Sequence, residues 1–208
     1  MSIICRILKY CIKLISISLK NHYPYYEFND WDNEIDLPAA GGIGFLSKYP
    51  IISTTIIPSP SEWFPGQLII IDTPIGEIQF LNLHLRPPLT HSALPLPHAY
   101  FTSKKDRERE VQWYGTFLNS NIPTIVCGDF NENSDAKSAQ YFSKNLKMRC
   151  ALDEFKQGIT WWWNLPFGYK ATARFDHIFY NRLYCKDAYV IPEGYSDHYP
   201  VVGEFIKI

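Results

Sequence analysis

The stretch at residues 124–133, TIVCGDFNEN, decides how this chain can fold. Its first four residues are β-branched or apolar, a pattern that predicts a buried β-strand. Gly128 ends that pattern, and Asp129 and Asn131 follow two positions apart. Because side chains at i and i+2 of an extended backbone point the same way, a carboxylate and a carboxamide should project together from the strand end. An Asx turn after the strand is the structural alternative, since Asp and Asn favour such turns.

Three further polar clusters lie where other predicted strands begin or end. They are NLHL at residues 82–85, RFDH at residues 174–177 and SDHYP at residues 196–200. The first cluster closes an alternating run in which Asn82 and His84 share one face of the strand. A strand-end histidine can also be a purely structural residue that is held by a hydrogen bond.

The order and the local patterns of these clusters resemble the endonuclease/exonuclease/phosphatase superfamily. Its hallmarks are a Gly-Asp-Phe-Asn motif in the middle of the chain and a Ser-Asp-His-x-Pro-Val motif near the C-terminus. They stand here at residues 128–131 and 196–201. The resemblance covers residues 40–208 and implies a single domain over residues 1–208. The implied fold is α/β, a four-layer sandwich of two mixed β-sheets with helices outside, in which the N-terminal strands are missing or degenerate.

The resemblance implies a metal-dependent phosphoesterase that uses Mg²⁺ or Mn²⁺. Members of this superfamily cut DNA, RNA, sphingomyelin and phosphoinositides with the same core, so the implied substrate is a phosphate ester, with nucleic acid among the candidates. The implied site residues are His84, Asp129, Asn131, Asp176 and His198 for catalysis, Asp197 for metal binding, and Asn82 and Arg86 for substrate binding.

Hydrolysis of a phosphodiester needs a positioned water, a base for its proton and positive charge near the phosphoryl oxygens. By resemblance, Asp129 and Asn131 hold the water and the phosphate, while His84 and His198 flank the phosphate. Asp176 orients His198, as a carboxylate fixes the imidazole tautomer in other such pairs. A structural ion pair between Asp176 and His198 is the alternative.

The N-terminus departs from the superfamily pattern. Members begin with a strand that ends in Asn and a second strand that ends in a Gln-Glu pair, whose Glu binds the metal. Residues 3–5 resemble the tail of that second strand, but Arg6, Ile7 and Leu8 stand in place of the pair. We therefore expect a chain that is truncated or degenerate at this end, and a version extended upstream that supplies both motifs and is more stable. An acid within residues 27–36 could replace the missing Glu.

Two classes of function follow from this departure. The first is an active phosphoesterase whose missing ligand is supplied by another acid or by upstream sequence. The second is a catalytically impaired or inactive truncated relative that acts as a binding or interaction protein, or is a gene fragment. Retention of all four downstream motifs favours the first class.

The composition fits an ordinary globular domain without a strong electrostatic field. The chain has 208 residues, 46% of them hydrophobic, and a formal net charge of −1, so a substrate phosphate must be met by a local site. Five cysteines without zinc-type spacing favour a reducing, cytoplasmic location. Residues 1–20 predict an amphipathic helix that packs on the sheet, with weak membrane-surface contact as an alternative. No segment is long and apolar enough to span a bilayer.

Hydrophobic periodicity predicts strands that alternate with helices. Besides the central strand, the predicted strands are residues 41–48, 51–57, 67–72, 77–85, 174–180, 189–191 and 199–206. The predicted helices are residues 103–119 and 136–147.

Three segments predict loops or surface features. Residues 27–41 predict an acidic loop, and the proline-rich residues 86–102 predict a substrate-facing loop. Arg86 in that loop could contact phosphate or be an ordinary surface arginine. Of three successive tryptophans at residues 161–163, at least one should lie at a cleft or surface, where it could stack on a base, although packing against the sheet is favoured.

Overall fold

The chain folds as a mixed α/β protein, and the computed structural model describes residues 18–30, 41–88 and 97–207. The strands are β1 Tyr25–Asp30, β2 Gly42–Ser47, β3 Ile51–Ile57, β4 Gly66–Thr73, β5 Gly76–His84, β6 Thr124–Asp129, β7 Arg149–Cys150, β8 Trp161–Asn164, β9 Lys170–Ala173, β10 Asp176–Asn181, β11 Leu183–Val190 and β12 Val201–Lys207. The helices are α1 Pro97–Gly115, α2 Lys137–Gln140 and α3 Ala151–Glu154, with a π-helical turn at Tyr141–Asn145 and a 3-10 turn at Pro166–Gly168.

A six-stranded sheet in the order β3-β4-β5-β6-β10-β7 forms the centre of the fold. Its strands β5 and β6 run parallel, and every other neighbouring pair in it is antiparallel. Parallel neighbours need a crossover connection, and α1 lies within the segment that joins these two strands.

Two smaller strand pairs cover one face of this sheet. Phe80, Ile125 and Tyr180 are direct neighbours in the register of β5, β6 and β10, so their side chains share a face. Phe45 of β2 packs on Phe80 with ring centroids 5.2 Å apart, and Phe205 of β12 packs on Tyr180 at 5.0 Å. The β1–β2 and β11–β12 pairs therefore both lie over the same face.

Helical segments cover the opposite face. Phe142 of the π-helical turn stacks on Phe179 of β10 with centroids 5.5 Å apart. Tyr114 of α1 is buried and donates its hydroxyl to the Phe64 carbonyl at 2.8 Å. Three layers are thus seen in the described residues, with the second sheet present as two separate pairs. The full four-layer sandwich and the missing N-terminal strands stay predictions.

The predicted loop at residues 27–41 is wrong for its first part, because β1 is a strand. Its six residues pair with β2 without a break, from Tyr25 opposite Ser47 to Asp30 opposite Gly42. Charged residues are common on edge strands, where they discourage pairing with other chains, and they made this segment resemble a loop. Strand β2 therefore has β1 as an antiparallel neighbour.

Other element boundaries also differ from the predictions. Helix α1 begins at Pro97, a residue favoured in the first helical turn, so the end of the predicted loop at residues 86–102 is helical. The predicted helix at residues 136–147 is instead α2 followed by a π-helical turn. The short elements β7, β8, β9 and α3 were not predicted. Trp163 is 56% exposed, as expected for at least one of the three tryptophans.

No helix in the described part of the chain combines the length and apolar character needed to cross a bilayer. The predicted amphipathic helix at residues 1–20 lies outside the described residues, apart from residues 18–20.

A histidine is buried in the core beside the site. His177 has no solvent exposure, and its Nε2 lies 2.9 Å from the Glu132 carbonyl oxygen. Its ring meets the Phe130 ring edge-on at 5.2 Å. Burial lowers the pKa of His177 from 6.5 to about 4, because the charged imidazolium is poorly solvated there.

Acidification should therefore destabilise the fold through His177. The part of the stability that depends on neutral His177 is fully present above pH 6.5. It is lost as the pH falls from 6.5 towards 4, because in that window only the unfolded chain takes up a proton at His177. We expect His177 to account for a loss of about 2–3 kcal/mol between pH 7.5 and 4.5. Urea unfolding of the wild type and His177→Gln at both pH values checks this. Equal losses in the two proteins would contradict it.

Candidate active site

The site lies at one end of strands β5, β6 and β10 of the central sheet. There a cross-strand row of neighbouring side chains is polar, whereas the rows before it on the same face are mostly apolar. His84 is the register partner of Asp129, and Asp129 is the partner of Asp176. These three residues stand on the face that also carries Phe80 and Tyr180, because they are separated from them by even numbers of residues. The face that packs against the smaller strand pairs therefore ends in two carboxylates and an imidazole.

A glycine allows the strands to approach closely just before this row. Gly128 has a φ of +141°, and a Cβ added there would lie 1.9 Å from the Leu83 carbonyl oxygen on β5. Leu83 and Gly128 are register partners immediately before His84 and Asp129. The missing side chain thus sets how closely the two site residues approach each other.

The Asp129 carboxylate divides its contacts between its two oxygens. Oδ1 accepts the backbone N–H of Asn131 at 2.8 Å, which forms the Asx turn that the sequence allowed. Oδ2 lies 3.6 Å from Nε2 of His84 and 3.5 Å from Nε2 of His198. One oxygen is therefore fixed by the backbone, while the other faces both imidazoles.

Asn131 joins this turn to the strand beside it. Its backbone is left-handed, with φ of +51°, a conformation that Asn adopts more readily than most residues. Its side-chain Nδ2 donates to the Leu85 carbonyl at 2.9 Å. The predicted catalytic carboxamide thus ties the loop after β6 to the loop after β5.

Asp176 and His198 form the predicted hydrogen-bonded pair. Nδ1 of His198 lies 2.8 Å from Oδ2 of Asp176. Because a carboxylate accepts hydrogen bonds, Nδ1 carries the proton and Nε2 is the nitrogen that faces Asp129. Backbone N–H groups of Phe175 and Asp176 both donate to Thr160 Oγ1 at 3.0 Å, which fixes the start of β10.

An aromatic ring orients His84. The Phe64 ring stacks on its imidazole with centroids 4.2 Å apart and an interplanar angle of 22°. His84 is itself buried, so its ring has little freedom to rotate. The two site histidines are thus held in different ways, one by a carboxylate and the other by ring stacking.

Asp197, the predicted metal ligand, lies next to His198 but outside the tight group of Asp129, Asp176 and His198. Its Oδ2 accepts the indole N–H of Trp161 at 3.2 Å, and its backbone carbonyl accepts the N–H of Trp162 at 2.9 Å. Strand β8 therefore positions the aspartate through the first two tryptophans.

Asn82 lies on β5 two residues before His84, on the same face of the sheet, and is fully buried. Its Nδ2 donates to the Gly44 carbonyl at 3.1 Å, which links β5 to β2. Its Oδ1 has no hydrogen-bond partner within the described residues, nor have the amide atoms of its cross-strand neighbour Gln67. A buried polar atom without a partner costs about 1–3 kcal/mol, so these amides are candidate contacts for solvent or substrate.

Arg86 points towards α1 in this structure. Its guanidinium forms an ion pair with Asp106 and lies over the Trp63 ring, 5.1 Å from the centroid. Its side chain is only 13% exposed. The predicted substrate-binding arginine is therefore near the site but paired, and binding a phosphate would require it to share or leave Asp106.

Phe64 and Thr160 shape the site but were not singled out from the sequence, and Trp161 was noted only as part of the tryptophan run. Phe64, Thr160 and Trp161 each support a site residue through ring stacking or hydrogen bonds. Thr160 and Trp161 directly precede and begin the tryptophan run, which was the one available signal. Phe64 has no comparable pattern around it.

The group of Asp129, Asp176 and His198 fits a divalent cation by its chemistry. One ligand atom from each lies within 4.8 Å of the others, and the part of the chain that the structure describes holds no second group of this kind. Carboxylate oxygens are the ligands that Mg²⁺ prefers, and Mn²⁺ also accepts imidazole nitrogen. Glu27 and Asp30 of β1 do not join this group, and residues 31–36 lie outside the described residues.

Comparisons with known proteins identify similar families and folds. A model of the Endonuclease/Exonuclease/phosphatase family matches residues 11–198 of the chain. Among solved structures, an endonuclease/exonuclease/phosphatase from Beutenbergia cavernae DSM 12333 is similar, with 16% identity and a TM-score of 0.71. That alignment covers 94% of this chain and 57% of the other, so this chain spans little more than half of that protein. No curated protein matches the chain.

Two further solved structures are similar over nearly the whole chain. An endonuclease/exonuclease/phosphatase from Bacteroides vulgatus has 13% identity and a TM-score of 0.72, over 99% of this chain and 84% of that one. The D. rerio TDP2 complexed with single strand DNA product has 13% identity and a TM-score of 0.71, over 99% and 85%. At identities this low the similarity establishes the fold alone.

The close approach at Gly128 leads to a stability prediction. Gly128→Ala should destabilise the protein by on the order of 3 kcal/mol or more, because the new Cβ clashes with backbone and the positive φ disfavours a side chain. Gly158→Ala is the control, since an added Cβ there meets no atom within 4 Å. Urea unfolding measures both variants, and equal effects of the two substitutions would contradict the prediction.

Proposed function

Since this chain belongs to the endonuclease/exonuclease/phosphatase family, we propose that it hydrolyses phosphate esters with the help of a divalent metal ion. The observation that carries the proposal is the position of Asp129 Oδ2, which lies between Nε2 of His84 and Nε2 of His198, with Asp176 behind His198. This arrangement offers an acceptor for a water proton and two imidazoles beside the reacting phosphate.

The donor set supports Mg²⁺ or Mn²⁺ as the cofactor. Asp129 belongs to the group that fits a cation and turns its Oδ2 towards the centre of the site, whereas Asp176 and His198 are engaged with each other. Asp129 would therefore contribute one oxygen, and Asp197, the ligand implied by the family resemblance, would contribute another. When bound, the ion would supply positive charge to the phosphoryl oxygens.

The residues of the chain would handle protons and position the phosphate. Asp129 Oδ2 would accept a hydrogen bond from the attacking water, and Asn131 would place that water and the phosphate. His198 would hold or donate a proton at Nε2, since Asp176 fixes its Nδ1–H. His84 would approach the phosphate from the other side of Asp129, with its ring restrained by Phe64.

We further propose a phosphodiester substrate, with nucleic acid as the leading candidate. The β8–β9 hairpin carries Trp163, Phe167 and Tyr169, which are 56%, 98% and 70% exposed. Exposed aromatic rings can stack on nucleobases without sequence preference, and this hairpin begins beside Asp197. The solved structure of D. rerio TDP2, in complex with a single strand DNA product, is consistent with this choice. A phosphomonoester substrate is the alternative within the same chemistry.

We propose that Asn82 and Arg86 bind the substrate. We also propose that the protein is cytoplasmic. Asn82 Oδ1 is a buried acceptor that lacks a partner among the described residues. Arg86 would meet a substrate phosphate beside Asp106. Cys127, Cys150 and Cys185 are buried thiols that form no disulfide within the described part of the chain, which suits a reducing compartment.

A catalytically impaired binding protein is the second candidate function. It is favoured by the absence of a glutamate from the carboxylate–imidazole group within the described residues. Loss of a metal ligand would lower the affinity for the ion and leave a site that binds phosphate esters without cleaving them efficiently.

The proposal is tested with bis(p-nitrophenyl) phosphate and a single-stranded oligonucleotide. We expect turnover that requires Mg²⁺ or Mn²⁺, stops on addition of chelator and returns when the metal is restored. His198→Ala should lower kcat by about 10²–10⁴-fold, because its acid–base and electrostatic contributions are lost. His22→Ala is the control, since His22 is an exposed residue before β1.

Three outcomes decide between the candidates. Turnover that persists in chelator, or an unaffected His198→Ala variant, would reject the metal-dependent mechanism. Saturable oligonucleotide binding without turnover at any metal concentration would favour the second candidate. Cleavage of p-nitrophenyl phosphate alone would move the substrate to the phosphomonoester class.

A further inference from the structure

The segment that follows His84 is fixed by hydrogen bonds on both sides. The backbone N–H of Leu85 donates to the Asp129 carbonyl at 2.9 Å, and its carbonyl accepts Nδ2 of Asn131. The next residue is held by α1, because the N–H of Arg86 donates to Glu110 Oε2 at 3.0 Å. Three of the four backbone N–H and C=O groups of Leu85 and Arg86 are thus hydrogen-bonded to the loop after β6 or to α1.

Arg107 completes this set of contacts from the inner face of α1. It is only 1% exposed, and one guanidinium nitrogen donates to the Arg86 carbonyl at 2.7 Å. Another donates to Glu132 Oε1 at 2.9 Å, and the Glu132 side chain is 8% exposed. One buried arginine therefore links the loop after His84 with the residue after Asn131.

Glu132 extends the link to two further elements. Its other carboxylate oxygen accepts the hydroxyl of Ser138 at the start of α2. Its backbone carbonyl lies 2.9 Å from Nε2 of His177, which is next to Asp176 on β10. The buried pair of Arg107 and Glu132 is therefore in contact with the three chain segments that carry His84, Asp129 and Asp176.

We propose that Arg107 and Glu132 form a positioning pair that sets the relative placement of His84 and Asp129 in the active site. The proposal rests on the proposed function for its kinetic readout. Arg107 acts two residues from His84, through the Arg86 carbonyl, and Glu132 acts one residue from Asn131. Arg107 and Glu132 bond the Arg86 carbonyl, each other, Ser138 and His177, so both act on the site through the segments that carry its residues.

Stability alone does not account for this pair. A buried ion pair can often be replaced by apolar residues of similar volume without loss of stability, yet apolar side chains could not bond the Arg86 carbonyl. Catalysis is far more sensitive to placement, because a shift of about 1 Å in a reacting group can lower the rate by about 10²-fold. The pair thus fits a role in geometry.

The kinetic test separates stability from placement. Arg107→Met and Glu132→Gln should each lower Tm, because each leaves an unpaired polar partner in the interior. The double variant Arg107→Met/Glu132→Met should recover part of that Tm, because no buried charge is left without its counter-charge, although the Arg86 carbonyl and the Ser138 hydroxyl each lose a partner. We expect its kcat to stay about 10–100-fold below wild type, with KM within about threefold. Recovery of kcat together with Tm would overturn the proposal.

Ile71→Ala is the matched control for stability. Ile71 is a core residue whose partner on β5 is Ile78, about 20 Å along the strand from His84. The cavity left by Ile71→Ala should lower Tm. The kcat of this variant, measured well below the Tm of both the variant and the wild type, should stay within about twofold of the wild-type value. An equal loss of kcat in this variant would mean that any loss of stability disturbs the site, and would also count against a specific pair.

A second readout does not depend on activity. Protein labelled with ¹⁵N-histidine reports the imidazole signals of His84, His198 and the exposed His22 by NMR. The double variant should shift or broaden the His84 signal and leave the His22 signal unchanged. If the wild type shows no turnover, the proposed function fails while this spectrum still decides the placement question. An unchanged His84 signal in the double variant would overturn the proposal.

Discussion

The register of β6 between β5 and β10 is the constraint on which the site depends. Leu83 can oppose Gly128 only because no side chain stands at that position. His84 and Asp129 then follow as direct neighbours, and Asp176 lies across the antiparallel pair. A slip by one residue would turn every side chain of β6 to the other face of the sheet, so the site and the core require the same register.

The same constraint gathers charge at a place where burial makes charge costly. Asp129 is 6% exposed, and its two oxygens have different partners, a backbone N–H on one side and two imidazoles on the other. Buried polar groups are tolerated when their hydrogen bonds are satisfied. Asp176 is satisfied by His198 at its carboxylate and by Thr160 at its backbone. These contacts keep Asp129 and Asp176 ordered at the junction between core and solvent.

The sequence predicted the strands that carry the motifs, because each joins a short apolar run to a polar strand end. It predicted the inner face of α1 poorly. The predicted helix ran on to residue 119, but Phe117 lies beyond the end of α1 and is 39% exposed, whereas Arg107 and Glu110 within α1 are buried. Charged residues on a helix usually face solvent. Tertiary contacts satisfy these two in the interior, since both bond the Arg86 backbone and Arg107 also pairs with Glu132. Strand β1 was missed for the related reason that its polar residues suit both a loop and an edge strand.

The site also depends on how the β11–β12 pair packs on the central sheet. Asp129 belongs to the central sheet, whereas His198 lies in the segment between β11 and β12. It precedes β12, which reaches the central sheet through Phe205 on Tyr180. Gly203 lies against the same surface, where an added Cβ would meet the Phe205 ring at 2.7 Å and Ile178 at 3.4 Å. The 2.8 Å contact between His198 and Asp176 therefore depends on apolar packing along the strands as well as on the pair itself. Packing density in such an interface leaves little room for adjustment, so the apolar core of this fold fixes the geometry of its polar site.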